Sequence, residues 1–127
     1  MVKSRRHVAV VDDDQSVRKA LQRLLRASDL DAETFASAQD FLASFPQGTT
    51  LPDCLVLDLQ MPATSGLDLQ RQIARSSLRL PIVVITGHDG PGMEARCLAA
   101  GASAYLRKPL DAGTLLAAIE AAIAHAS

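Results

Sequence analysis

The chain has 127 residues, 48% of them hydrophobic, and a formal charge of -1 from 13 basic and 14 acidic side chains. That is the size of one globular domain with apolar material for a real core, and the balanced charge, with no basic block beyond the "KSRR" at Lys3–Arg6, argues against direct nucleic-acid binding. No apolar run reaches the roughly 18 residues of a membrane span and the start lacks the apolar core of a secretion signal, so no membrane contact and a cytoplasmic location are expected.

In chain order, His7–Val11 ("HVAVV") is a short apolar run that stops at Asp12, and Val17, Leu21, Leu24 and Leu25 then share one helical face. A weak strand through Glu33–Phe35 leads into "SAQDFLASF", where Ser37 and Asp40 stand at capping-box spacing. A third strand, Cys54–Leu57, precedes a helix over Leu67–Ile73. The fourth, Ile82–Thr86, precedes a helix through Met93, Cys97 and Leu98, closed by Gly101 as a left-handed cap. The fifth, Ala104–Arg107, is followed by a helix that begins near Asp111 and turns Leu115, Leu116, Ile119 and Ile123 inward. Alternating strands and helices imply an α/β fold: a parallel sheet covered by helices on both faces, in a single domain over residues 1–127. Cys54 and Cys97 lie inside these apolar patterns without CxxC or metal spacing, and read as small buried hydrophobes of a reducing compartment.

In such open sheets ligands bind outside the carboxyl ends of the strands. The residues there are Asp12, Asp13 and Asp14 after the first strand, Asp58 after the third, Thr86 at the end of the fourth and Lys108-Pro109 after the fifth. If the first and third strands are neighbours, several carboxylates converge, and like charges at that distance call for a compensating cation. The "DDDQS" run lacks the spaced acids, the Gly and the closing Glu of an EF-hand loop, so Mg²⁺, which accepts one or two carboxylates plus phosphate oxygens, suits the inventory better than Ca²⁺. A carboxylate beside a divalent cation, an ammonium and a hydroxyl is equipped to receive a phosphoryl group, with Asp58 as the nucleophile.

Taken together, "VVDDD", "LDLQMPATSG", "VVITGH", Tyr105 and "LRKP" resemble the receiver domain of bacterial two-component response regulators, over essentially the whole chain. The wording "TGHDG" with "MEARCLAAGASAYLRKP" is similar to FixJ-type receivers in particular. The resemblance implies a doubly wound (βα)5, flavodoxin-like fold with a five-stranded parallel sheet of order 2-1-3-4-5. It implies Asp58 as phosphoacceptor from a sensor histidine kinase, and Mg²⁺ held by Asp13, Asp58 and the backbone carbonyl of Gln60, with Asp12 acting through a metal-bound water. Lys108 would pair with the phosphoryl oxygens, Thr86 and Tyr105 would form the switch, the ring turning inward, and Gln60 and His88 would tune hydrolysis. The Lys108–Pro109 bond is often cis in the family.

The loop "GHDGPG" has the glycine freedom a shift would need, and the face of the fourth helix, fifth strand and fifth helix is expected to carry the output. That output is a transcription-regulating domain or, alternatively, docking or phosphorelay by a stand-alone receiver; the same face could close a phosphorylation-dependent homodimer. The expectation is a phosphoacceptor rather than a turnover enzyme. Phosphatases of the haloacid-dehalogenase type usually carry a second acid two residues after the nucleophile, where this chain has Gln60, which cannot titrate. "GHDGPG" matches neither GxGxxG nor a Walker motif. Asp14 reads as a helix N-cap rather than a metal ligand, Met61-Pro62 either as a chain break after the third strand or as shaping the loop over the metal, and His7 and His125 as structural or surface residues.

Overall fold

A computed structural model describes residues 6–44, 51–59, 80–88 and 90–126. Its elements are β1 (His7–Val11), α1 (Gln15–Ala27), β2 (Asp31–Phe35), α2 (Ala38–Ala43), β3 (Cys54–Asp58), β4 (Ile82–Thr86), α3 (Met93–Ala99), β5 (Ala104–Arg107) and α4 (Ala112–Ala126). The helix expected over Leu67–Ile73 lies outside the described residues, so α3 and α4 are the helices expected as fourth and fifth. The strands form one sheet of order β2-β1-β3-β4-β5 with every neighbouring pair parallel. This is the doubly wound order, with the reversal between β1 and β3.

Strict alternation along each strand divides the core into two layers. Val8, Val10, Cys54, Val56, Val83 and Ile85 face α1 and α4, meeting Leu21, Leu25, Leu115 and Ile119. Ala9, Val11, Leu55, Leu57, Ile82 and Val84 face the other way, onto Phe41 of α2, Cys97 of α3 and Tyr105. β3 and β4 are buried at every position, whereas the edge strands β2 and β5 are only partly covered. The outer position explains why "DAETF" carries charge and reads as a weak strand. Its backbone nonetheless pairs with β1 from Asp31 onward, two residues earlier than its side chains suggest.

Caps fix the helix ends. Asp14 accepts from the backbone N–H of Ser16 and Val17 at the start of α1, Ser37 Oγ accepts from Asp40 N–H at α2, and Asp111 accepts from the N–H and the hydroxyl of Thr114 at α4. α3 ends in a Schellman motif: Gly101, at φ 102°, donates to Leu98 and Ala102 donates to Cys97. Leu98 is 45% exposed, because it sits one residue past the buried Cys97 and rotates off the buried face. Both cysteines are buried and outside any disulfide, and burial pushes the Cys54 thiol up to about 12.

Candidate functional site: an acidic pocket at the carboxyl edge of the sheet

β1 and β3 pair in the register Val10–Val56 and Val11–Leu57, which brings the next residues, Asp12 and Asp58, side by side on the α1 and α4 face. Both are buried, at 0% and 2% exposure, whereas Asp13 is exposed. One carboxylate oxygen from each of Asp12, Asp13 and Asp58 lies within 4.8 Å of the others. Every polar atom of Asp12 has a partner. Its N–H donates to Phe35 O (3.1 Å), its carbonyl accepts from Arg18 Nη1 (2.7 Å), Oδ1 accepts from Asp14 N–H (2.9 Å) and Oδ2 from Lys108 Nζ (2.9 Å).

Lys108 reaches this cluster because β5 continues its pairing with β4 past Arg107, the Lys108 N–H donating to Thr86 O at 2.8 Å. Its ammonium, on a side chain 23% exposed, lies 2.9 Å from Asp12 and 3.8 Å from Asp58 Oδ1. Burial pulls the Lys108 pKa down, but the hydrogen bond and charge of Asp12, then the charges of Asp58 and Asp14, outweigh it and hold the group above its ordinary value. The following bond, Lys108–Pro109, is cis, as expected.

Thr86 and Tyr105 face the other layer. The Thr86 hydroxyl is engaged within its own loop, donating to His88 O at 3.1 Å and accepting from His88 N–H at 3.2 Å, while the His88 side chain is exposed. Tyr105 is already buried among the residues on the α3 side, with the Arg107 guanidinium 5.5 Å from its ring centroid and Arg107 Nη2 3.2 Å from Glu94 of α3. Gln60, Met61, Pro62 and Gly66 lie outside the described residues. Asp14 is occupied as the α1 cap, and His7 and His125 lie away from the pocket, beside Asp31 and the Ala121 carbonyl respectively.

Among the described residues the donor set is carboxylate oxygen alone, with neither nitrogen nor sulfur, which suits a hard divalent cation such as Mg²⁺. Asp13 offers an accessible carboxylate and Asp58 a buried one. Both oxygens of Asp12 are already bonded, to Asp14 N–H and Lys108 Nζ.

Residues 8–120 match the response regulator receiver domain. The chain belongs to that family. It is 42% identical over 118 residues to nodulation protein W of Bradyrhizobium diazoefficiens, covering 91% of this chain and 50% of that protein. It is 40% identical over 117 residues to the transcriptional regulatory protein TdiR of Thauera aromatica, covering 92% of this chain and 51% of that protein. It thus spans about half the length of these curated relatives. The solved FixJ-N structure superimposes with a TM-score of 0.86 at 34% identity, covering 97% of each chain. Receivers of this family are signalling modules rather than turnover enzymes.

Two contacts of this receiver escape a reading of the sequence. Arg18 on α1 and Arg107 on β5 look like solvated surface cations, yet one reaches the carbonyl of a pocket residue and the other bridges Tyr105 to α3. The signal for Arg107 is its place two residues after an aromatic on one strand, hence on the same face. For Arg18 there is none, since its acceptor is a backbone oxygen.

Proposed function

We propose that this receiver is a phosphorylation-controlled signalling switch in which Asp58 accepts a phosphoryl group from a phosphohistidine of a sensor histidine kinase. The observation that carries the proposal is the convergence of Asp12, Asp13 and Asp58 within 4.8 Å beneath a lysine that contacts Asp12 and Asp58. An Asp58 oxygen forms the new bond to phosphorus as the bond from phosphorus to the donor's ring nitrogen breaks, its electron pair leaving with the imidazole. Such transfers demand alignment and charge neutralisation on the equatorial oxygens more than covalent chemistry from the protein.

Mg²⁺, when bound, neutralises part of that oxygen charge. Asp13, Asp58 and the Gln60 backbone carbonyl are the proposed protein ligands, with Asp12 acting through water. Asp12 also holds the Lys108 ammonium, from where it pairs with the phosphoryl oxygens once Asp58 is modified. The added charge of ~1.5–2 draws the Thr86 hydroxyl away from its bonds to His88. Tyr105, lying on the same face, keeps the vacated space filled. Gln60 and His88 flank the phosphoryl group and tune its hydrolysis.

The resulting change is read on α3, β5 and α4. Relatives about twice as long, one of them named a transcriptional regulatory protein, favour a transcription-regulating domain as the output partner, and the switch acts in the cytoplasm. Phosphorylation further brings two copies together through the same face.

Intact-protein mass after incubation with acetyl phosphate and Mg²⁺ tests the chemistry. A gain of one phosphoryl group that disappears in Asp58→Asn and in metal-free buffer is expected. A folded wild-type chain that gains nothing, or an Asp58→Asn variant that still gains the group, would overturn it.

A further inference from the structure

We infer that Arg18 is a positioning residue for the metal site: by holding the Asp12 carbonyl, its guanidinium fixes the peptide plane from which Asp13 is delivered to the acidic pocket. The inference rests on the proposed metal-dependent phosphoacceptor role and goes beyond it, to a residue that touches neither metal nor phosphoryl group.

The carbonyl of Asp12 belongs to the peptide unit that joins Asp12 to Asp13 and is planar by resonance. Once its oxygen is held, the ψ angle of Asp12 is set, and with it the direction in which Asp13 leaves. Asp12 itself is immobilised independently, through Phe35, Asp14 and Lys108. Asp13 is exposed, and among the described residues no hydrogen bond anchors its carboxylate. The 2.7 Å bond from Arg18 Nη1 to Asp12 O is therefore the contact that holds the Asp12–Asp13 peptide plane itself, while the Asp14 N–H bond to Asp12 Oδ1 fixes the far side of Asp13. Arg18 is suited to this by its position on α1. Its backbone N–H is bonded to Asp14 O at 3.0 Å, so its Cα is fixed by the helix, and its half-buried side chain returns across the first turn to the loop. A planar, permanently charged fork with several donors holds a carbonyl in one orientation better than a single ammonium does.

Two accounts of Arg18 predict opposite signs. As a mere nearby cation it would repel a divalent ion, and removing its charge would tighten binding. As a positioning residue its loss loosens Asp13, and removal weakens binding, as loss of groups that orient metal ligands commonly does by about 10-fold or more.

The test is Mn²⁺ binding by the whole chain, read from the electron paramagnetic resonance signal of the unbound ion. Arg18→Met keeps the stem and removes the donors; it is expected to weaken Mn²⁺ binding by about 10-fold, while Lys19→Met, on the exposed side of the same turn, leaves it unchanged or slightly tighter. Arg18→Lys keeps the charge and loses the fork, and about 3-fold weakening is expected; it also decides the question if Arg18→Met does not fold. Unchanged or tighter binding in the Arg18 variants, with Asp13→Asn still abolishing it, would overturn the inference alone. A wild-type chain that binds no Mn²⁺ would overturn the metal-dependent reading of the site and this inference with it.

Discussion

Lys108 is the charge on which the pocket depends, and its pH response follows from the sign of its shift. Its folded-state pKa lies above the ordinary 10.5, because the hydrogen bond and charge of Asp12 and the charge of Asp58 outweigh burial. A group raised on folding contributes stability that is complete below its unfolded value and is lost as pH rises through the folded one. The thermal midpoint of the wild type should therefore fall more steeply above about pH 10.5 than that of Lys108→Met, which lacks this limb; parallel profiles between pH ~9 and ~12 would contradict the pairing. Asp13 makes the complementary case. Without metal, its carboxylate adds repulsion to two buried acids, so Asp13→Asn should stabilise the metal-free chain by roughly 1 kcal/mol, the Coulomb energy of unit charges ~4 Å apart in water, or ~3–5 °C in midpoint. Mg²⁺ should raise the wild-type midpoint by mass action and leave the variant nearly unmoved. Scanning calorimetry with and without Mg²⁺ reads both effects. Asp12, Asp58, Thr86 and Lys108 were legible because each ends or follows an apolar run that could only be a buried strand. Arg18 and Arg107 were not, since hydropathy does not distinguish a cation in water from one bonded to a carbonyl or an aromatic face.

Elements were most legible where two signals agreed. β1, β4 and β5 begin and end where their apolar runs do, and α1, with Asp14 as cap and Leu21 and Leu25 inward, follows its periodicity. β2 was the weakest because an edge strand is held by its backbone pairing, which the polar "DAETF" does not advertise. On α3, Met93 and Cys97, four residues apart, take the core side of a seven-residue helix and leave Leu98 to solvent. The end of that helix was legible in Gly101. Its φ of 102° lies where an L side chain is strained, although a Cβ there would meet no atom within 4 Å. Gly101→Ala should thus cost about 1–2 kcal/mol through backbone strain alone. Urea unfolding should show a lower midpoint at an unchanged m value, with phosphoryl uptake at Asp58 unaffected; an unchanged midpoint would mean that α3 can end another way.

On the scale of the whole molecule, strand alternation does what no single motif announces. It puts Asp12, Asp58 and Lys108 on the face packed by α1 and α4, and Thr86 and Tyr105 on the face packed by α3, so that the acids and the hydroxyl of the proposed switch start from opposite faces of the sheet. The two meet at the carboxyl edge, where Lys108 N–H bonds to Thr86 O. On the far face Leu98 is the large hydrophobic left exposed among the described residues, beside the Arg107–Glu94 bridge. A lone exposed leucine is ordinary on a monomer. At the centre of a self-complementary contact it would add about 1 kcal/mol per copy, toward an interface that needs ~1,200 Å² or more to be stable. Stoichiometric phosphorylation should then double the mass seen by light scattering. Leu98→Glu, a surface change expected to leave folding within ~0.5 kcal/mol, should keep the phosphorylated chain monomeric while the phosphoryl gain at Asp58 persists. A mass that never rises would remove the self-partner and leave the α3 face to a different protein. A dimer indifferent to Leu98→Glu would keep the self-partner and move the contact off α3.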